Sequence, residues 1–292
     1  MIITKIKAGL GNQMFQYACG RALALRNGDT LKLDITEWKL GREKIRSYLL
    51  PHFAITEEIA TDDEVKKMRY PFGVFLGKVM NKIRLKMGFV NIAFDPRVIS
   101  KKGDVYLDGY WQSEKYFADF AKEIRDDFAL KLPMKEAAAE ILEKIQTDEF
   151  SVSLNIRRGD NAHSPSSMKS FGCPGLDYYQ SALDTLLEQM KAQKKFSGNI
   201  NLFVFSDDIE WAKENLHTGF QTTFVSGPDI DTCEEMTLMS ACRHNVISNS
   251  TFGWWGAWLN RNEGKIVVAP KAWALIKLKN YKDIIPDGWI RV

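Results

Sequence analysis

Residues 150–160, FSVSLNIRRGD, decide how the chain is read. Val152, Leu154 and Ile156 alternate with Ser153, Asn155 and Arg157, the period of two that marks a β-strand, and the strand runs straight into two arginines, a glycine and an aspartate. Toward the carboxyl terminus, β-rich runs continue to alternate with segments of helical period. Strands are predicted at 151–156, 201–205, 222–225, 245–248 and 265–269, with helices at 176–192, 209–216, 233–242 and 254–260 between them. Four crossovers of this kind predict a mainly parallel, doubly wound sheet.

Toward the amino terminus the pattern starts as regularly and then loosens. A strand at 1–5, a helix at 12–25 and a strand at 30–34 make one βαβ unit, with Gly9 and Gly11 in its first turn. The region 36–101 is less regular, with helical signals at 61–69 and 77–87. A short strand at 105–107 precedes Gly109-Tyr110-Trp111 and helices at 114–128 and 134–145. The break near 146–150 divides the chain into expected domains 1–148 and 149–292.

The 292 residues are 45% apolar, 26% charged and 12% aromatic, enough to bury a large core. Forty Lys+Arg against 37 Asp+Glu give a formal charge of +3, too balanced for a protein that holds nucleic acid by neutralising many phosphates. A local anion site stays open. Cys19, Cys173, Cys233 and Cys242 form no C-x-x-C and have no zinc-ligand spacing, which is ordinary for a reducing compartment. The start, MIITKIKAGLGNQ, lacks the apolar run of a signal peptide, and no stretch reaches membrane-spanning length, so a cytoplasmic protein is expected. Residues 77–87 interleave Lys78, Lys82, Arg84 and Lys86 with Val79, Met80, Ile83, Leu85 and Met87. They form either a surface helix with one buried stripe or a basic amphipathic helix lying peripherally on the inner membrane face.

Ligands of open parallel sheets bind off the carboxyl ends of the strands, which points to three polar stretches. At the first, Arg157 and Arg158 either present guanidinium groups to a phosphate or pair with Asp160 or another carboxylate. At the second, Ser206-Asp207-Asp208, the composition is also that of a helix N-cap. At the third, Ser250 and Thr251 stand where a helix N-terminus offers hydroxyls and backbone N–H groups to an anion, with Trp254, Trp255 and Trp258 read as core. The turn Ala8-Gly9-Leu10-Gly11-Asn12-Gln13 is not a full dinucleotide fingerprint, and Asp34 is the one acid near the expected position. Asp229-Ile230-Asp231 reads as a solvated turn with an N-cap rather than a divalent-ion site, and no metal site is expected. Tyr110 and Trp111 either stack on a sugar or belong to the core.

Five motifs in order, GLGNQMFQYACGRALA at 9–24, DGYWQSEKYF at 108–117, SLNIRRGD at 153–160, FVFSDD at 203–208 and MTLMSACRHNVISNSTFGWWGAWL at 236–259, resemble the bacterial α-1,2-fucosyltransferases of glycosyltransferase family 11. The resemblance implies a GT-B fold, two Rossmann-like α/β domains facing across a cleft, with the acceptor on the amino-terminal side and the GDP-sugar on the carboxyl-terminal side. It also implies an inverting, metal-independent transfer of L-fucose from GDP-β-L-fucose to the 2-hydroxyl of a terminal galactose, with no cofactor. By the same resemblance Arg157 and Arg158 bind the pyrophosphate, while Gly11, Asn155, Asp207, Glu235, Ser250 and Thr251 help hold the nucleotide. Asn12 reaches toward donor and acceptor. Asn155 stands where the family usually has His, Asn161 where Tyr is common, and Glu235 where Asp is usual. A histidine base at position 155 is therefore ruled out; Asp160, then His163, is the expected general base, with Asp160 equally suited to orient Arg158 and the departing phosphate able to accept the proton where no strong base acts. The alternatives are a GT-B transferase using another nucleotide sugar and a non-catalytic GDP-sugar-binding protein.

Overall fold

The computed structural model describes residues 1–71, 73, 92–159, 165–192, 196, 198–275 and 281–292. They form two α/β units, each on a parallel sheet, the two Rossmann-like units that the resemblance implies. The first comprises Met1–Lys131 with Lys279–Pro286, the second Leu132–Leu278 with Asp287–Val292.

In the first unit β1 (Ile2–Lys5) lies between β2 (Leu31–Asp34) and β3 (Val105–Leu107), all parallel. Between β1 and β2 runs α1 (Leu10–Asn27), apolar on most of its surface and correspondingly buried. It ends on Gly28 at φ 63°, a left-handed conformation that glycine adopts without strain. Gly20 lets the helix sit hard against the sheet: a Cβ there would lie 2.9 Å from Leu31 Cδ1 and 3.0 Å from Thr4 Cβ. α2 (Asp62–Arg69) opens with a full capping box between Thr61 and Glu64. The helix expected at 114–128 is instead two 3₁₀ turns, Glu114–Tyr116 and Ala118–Phe120, followed by α3 (Ala121–Asp127). The Tyr116 hydroxyl donates to the Ala93 carbonyl and accepts the Asp95 N–H, and burial of Tyr116 and Phe117 overrides the helical period.

The second unit carries β4 (Ser151–Ile156), β5 (Asn201–Ser206), β6 (Gln221–Phe224), β7 (His244–Val246), β8 (Val267–Ala269) and β9 (Ile290–Arg291) in the order β6-β5-β4-β7-β8-β9. Chain order along that sheet is 3-2-1-4-5-6, so it reverses between β4 and β7, the place where such sheets open a crevice. β5 shows why the strand was readable. Leu202 and Val204 face a core shared with α6 (Leu176–Ala192), while Phe203 and Phe205 face one shared with α4 (Glu136–Thr147) and α8 (Thr232–Ala241). Two segments unexpected from sequence are α5 (Pro165–Phe171) and β9. The last helices are α7 (Ile209–Asn215) and α9 (Thr251–Leu259).

The expected boundary at 148/149 is corrected to 131/132. Ala138 and Ile145 of α4 pack with Phe203, Phe205 and Leu238, so this helix belongs to the second core. Residues 279–286 in turn join the first unit, where Asp283 accepts Lys115 Nζ at 2.8 Å.

No described helix is long and apolar enough to cross a membrane, and the basic segment 77–87 lies outside the described residues.

Candidate active site

At the reversal point of the second sheet, β4 delivers Arg157 and Arg158 beside the end of β5. Asp207 holds both. Its Oδ2 is 2.5 Å from Arg157 Nη1, and its Oδ1 accepts the backbone N–H groups of Arg158 at 2.8 Å and Gly159 at 3.1 Å. Gly159 is required here, because a Cβ would overlap the Asp207 carboxylate. Arg158 Nε lies 3.4 Å from Asp208 Oδ2, and its guanidinium carbon sits 3.7 Å from the centre of the Trp211 ring. Asp208 also caps α7 by accepting the Trp211 N–H. The arginines therefore pair with carboxylates across the strand gap, which prealigns them without removing their charge; each remains about a quarter exposed.

On the other side of the reversal, β7 leads through Ser248-Asn249-Ser250 into α9. Asn155 is buried, and its Oδ1 accepts the Ser248 hydroxyl at 2.9 Å. Gly253 makes room for it, since a Cβ at 253 would overlap that oxygen. Asn155 thus ties β4 to the turn that starts α9. Ser250 is the N-cap residue without a side-chain cap bond, and with Thr251 it brings two hydroxyls to a helix N-terminus. Trp254, Trp255 and Trp258 are buried as expected.

Glu235 lies in the first turn of α8. Burial pushes its carboxyl up to about 7, against a hydrogen bond with Ser226 and with further push from Asp207 and Asp231. Asp231 caps α8 through the N–H groups of Cys233 and Glu234, the N-cap reading of the D-x-D stretch. Among the described residues no group of three His, Cys, Asp or Glu is arranged to hold a metal. Asp160, Asn161 and His163 lie outside the described residues.

The strand ends of the first unit carry a second polar cluster. Asp108, after β3, pairs with Lys7 at 2.9 Å and Arg69 at 3.3 Å. Burial raises its carboxyl, and Lys7, Lys5 and Arg69 outweigh that and hold it below its ordinary range. Asn12 Oδ1 accepts Gln112 Nε2 at 2.7 Å, and Gly11 lies buried beside it in the first turn of α1. Asp34 accepts hydrogen bonds from the Tyr106 hydroxyl and from the N–H and hydroxyl of Thr36. Trp111 is 3% exposed and packs edge-on against Tyr116, so it is core rather than a sugar platform. Its φ of 53° and that of Ala8, 67°, are left-handed, a conformation disfavoured for side-chain-bearing residues.

Sequence reasoning missed Trp211, Lys7, Asp108 and Arg69. Lys7 and Asp108 stand within two residues of strand ends, so the strand-end rule that found Arg157 extends to them. No sequence pattern announces a stack between residues 158 and 211.

The sheet order defines a Rossmann-type unit, with Arg157 and Arg158 at its reversal point. The model of glycosyl transferase family 11 matches residues 1–292, and the chain belongs to that family. It is 31% identical to an alpha-1,2-colitosyltransferase of Escherichia coli, covering 100% of this chain and 99% of that protein. It is 30% identical to the O-antigen biosynthesis glycosyltransferase WbnK of Escherichia coli, covering 98% and 99%. A galactoside alpha-(1,2)-fucosyltransferase 2 of Pongo pygmaeus is 25% identical over 86% of this chain and 66% of its own. Among solved structures, fucosyltransferase NodZ from Bradyrhizobium aligns with 87% of this chain and 91% of its own at 13% identity and a TM-score of 0.49.

Proposed function

We propose that this glycosyltransferase moves L-fucose from GDP-β-L-fucose to the 2-hydroxyl of a terminal galactose, inverting the anomeric centre without a metal ion. The observation that carries this reading is the pair Arg157 and Arg158, held by Asp207 and Asp208 at the reversal point of the sheet, opposite the N-terminus of α9. The guanidinium groups bind the diphosphate and stabilise the charge that builds on it as the glycosidic bond breaks. Ser250 and Thr251 support the phosphates from the helix end, and Glu235 helps hold the nucleoside. Asn155, bound to Ser248, keeps the two sides of the site in register.

The acceptor hydroxyl attacks the opposite face of the sugar and loses its proton. An amide at position 155 has no basic lone pair for this step. Asp208 and Trp211 already orient Arg158, which supports giving the proton to Asp160. In the first unit Asn12 serves donor and acceptor positioning.

A second reading is favoured by the full-length 31% identity to a colitosyltransferase: the donor is a GDP-linked sugar other than fucose. Colitose is fucose without its 3-hydroxyl, so one site chemistry serves both. The test is incubation of the purified protein in EDTA with GDP-fucose or GDP-colitose and a galactose-terminated disaccharide, following GDP release and product linkage by NMR. An α-1,2-fucosylated product is expected. Turnover only with GDP-colitose selects the second reading, and GDP binding without turnover on any acceptor overturns both.

A further inference from the structure

We propose that Trp211 is a positioning residue for the donor diphosphate: its indole, stacked on the Arg158 guanidinium, sets the plane in which that cation offers its N–H groups. The inference rests on the reading of the site as a GDP-sugar site given above.

Arg158 needs such a guide. Its side chain has four rotatable bonds, its side chain is about a quarter exposed, and its Nε meets Asp208 only at 3.4 Å. A single long ion pair in contact with solvent fixes neither position nor orientation well. The indole supplies what that pair lacks: the guanidinium carbon lies 3.7 Å from the ring centre, and a cation held that close over a broad π face is favoured to lie flat on it with its in-plane donors directed outward.

Trp211 is itself fixed from three sides. Its backbone N–H is accepted by Asp208, its carbonyl accepts Asn215 Nδ2 at 2.9 Å, and its indole packs partly buried against the core beneath β4 and β5. Asp208 therefore sets the start of α7 and touches Arg158 at the same time. The helix start, the indole and the cation form one unit. Asp207 does the same for the main chain of the loop, through the N–H groups of residues 158 and 159. Loop backbone and guanidinium plane are thus set by different residues, and removing Trp211 leaves the first intact.

The experiment compares Trp211→Leu and Trp211→Phe with the unaltered protein by calorimetric titration with GDP, GMP and guanosine, with thermal unfolding of each. Loss of a stack of this kind is expected to weaken GDP binding roughly 5- to 30-fold in the Leu variant. Guanosine affinity should stay within about twofold of the unaltered protein, because it has no diphosphate for Arg158 to meet. The Phe variant should recover most of the GDP affinity, and it carries the test if the Leu variant fails to fold. Unchanged GDP binding by the Leu variant, or an equal loss for guanosine, overturns the role of Trp211 alone. An unaltered protein that binds GDP no more tightly than guanosine overturns the site reading itself.

Discussion

The turn after β1 is closed by the helix it leads into: Gln13 donates to the carbonyls of Ala8 and Ser47, and Gln16 accepts the Lys7 N–H at 2.8 Å. The turn after β4 is closed from the neighbouring strand, by Asp207 at the end of β5. In the first unit two cations and the Asp108 carboxylate converge beneath a self-closed loop. In the second, the clamping carboxylate comes from outside, so the loop presents two adjacent guanidinium groups alongside a helix N-terminus. One strand-end rule thus yields a self-closed turn in one sheet and a turn carrying two adjacent cations in the other.

The sharpest way to break this contrast is Arg157→Ala. If the second turn does the chemistry, kcat for transfer should fall roughly 10²- to 10³-fold, about 3–4 kcal/mol of barrier, while the protein stays folded. Near-full activity in a product assay would leave the two turns without a functional difference.

Glu235→Gln tests whether the second site carries electrostatic strain that the first does not. Below its ordinary pKa of 4.5 the carboxyl is neutral both folded and unfolded, and stability is unaffected. Between 4.5 and about 7 the unfolded chain ionises and the folded one resists, so native stability falls with rising pH and levels off above about 7. The variant should therefore gain up to about 3 kcal/mol over the parent at pH 8, with the gap closing toward pH 4. Parallel unfolding curves at both pH values would remove the assignment.

Gly20→Ala addresses the first unit alone. Its Cβ would press on Thr4 and Leu31, and a loss of about 1–3 kcal/mol in denaturant unfolding is expected, with kcat per folded molecule unchanged. The smallest effect is expected from Asn12→Ala, which removes the partner of Gln112. Acceptor KM should rise about tenfold, roughly 1.4 kcal/mol, with GDP affinity intact. A change in GDP affinity of the same size would erase the division of labour between the turns.

Much of the second sheet was legible because each central strand is buried on both faces and is followed by a helix, so Phe203 and Val204 announce a strand whichever side they face. The two residues of β9 are too few to carry a period. The apolar stripe of α4 predicted a packed helix, which the expected break near 146–150 assigned to the first unit, whereas Ala138 and Ile145 pack in the second core. In the site, the arginines and the Ser250-Thr251 turn were readable because charge and hydroxyls cluster locally. The Asp207 clamp was not, since strands β4 and β5 become neighbours only through a pairing between residues about fifty positions apart. His244 accepts the Ile266 N–H at 3.0 Å, a pairing between β7 and the residue before β8 that no local pattern announces; burial, aided by Arg243, pushes its pKa down to about 4.

The return of residues 279–286 to the first unit has a practical corollary for recombination between relatives. Exchanging the amino-terminal unit for that of a relative with another acceptor preference needs three junctions, at 131/132, 278/279 and 286/287. A chimera joined once would import a foreign first unit that lacks its own matching 279–286 segment, where Ile284 and Ile285 are buried and Asp283 meets Lys115.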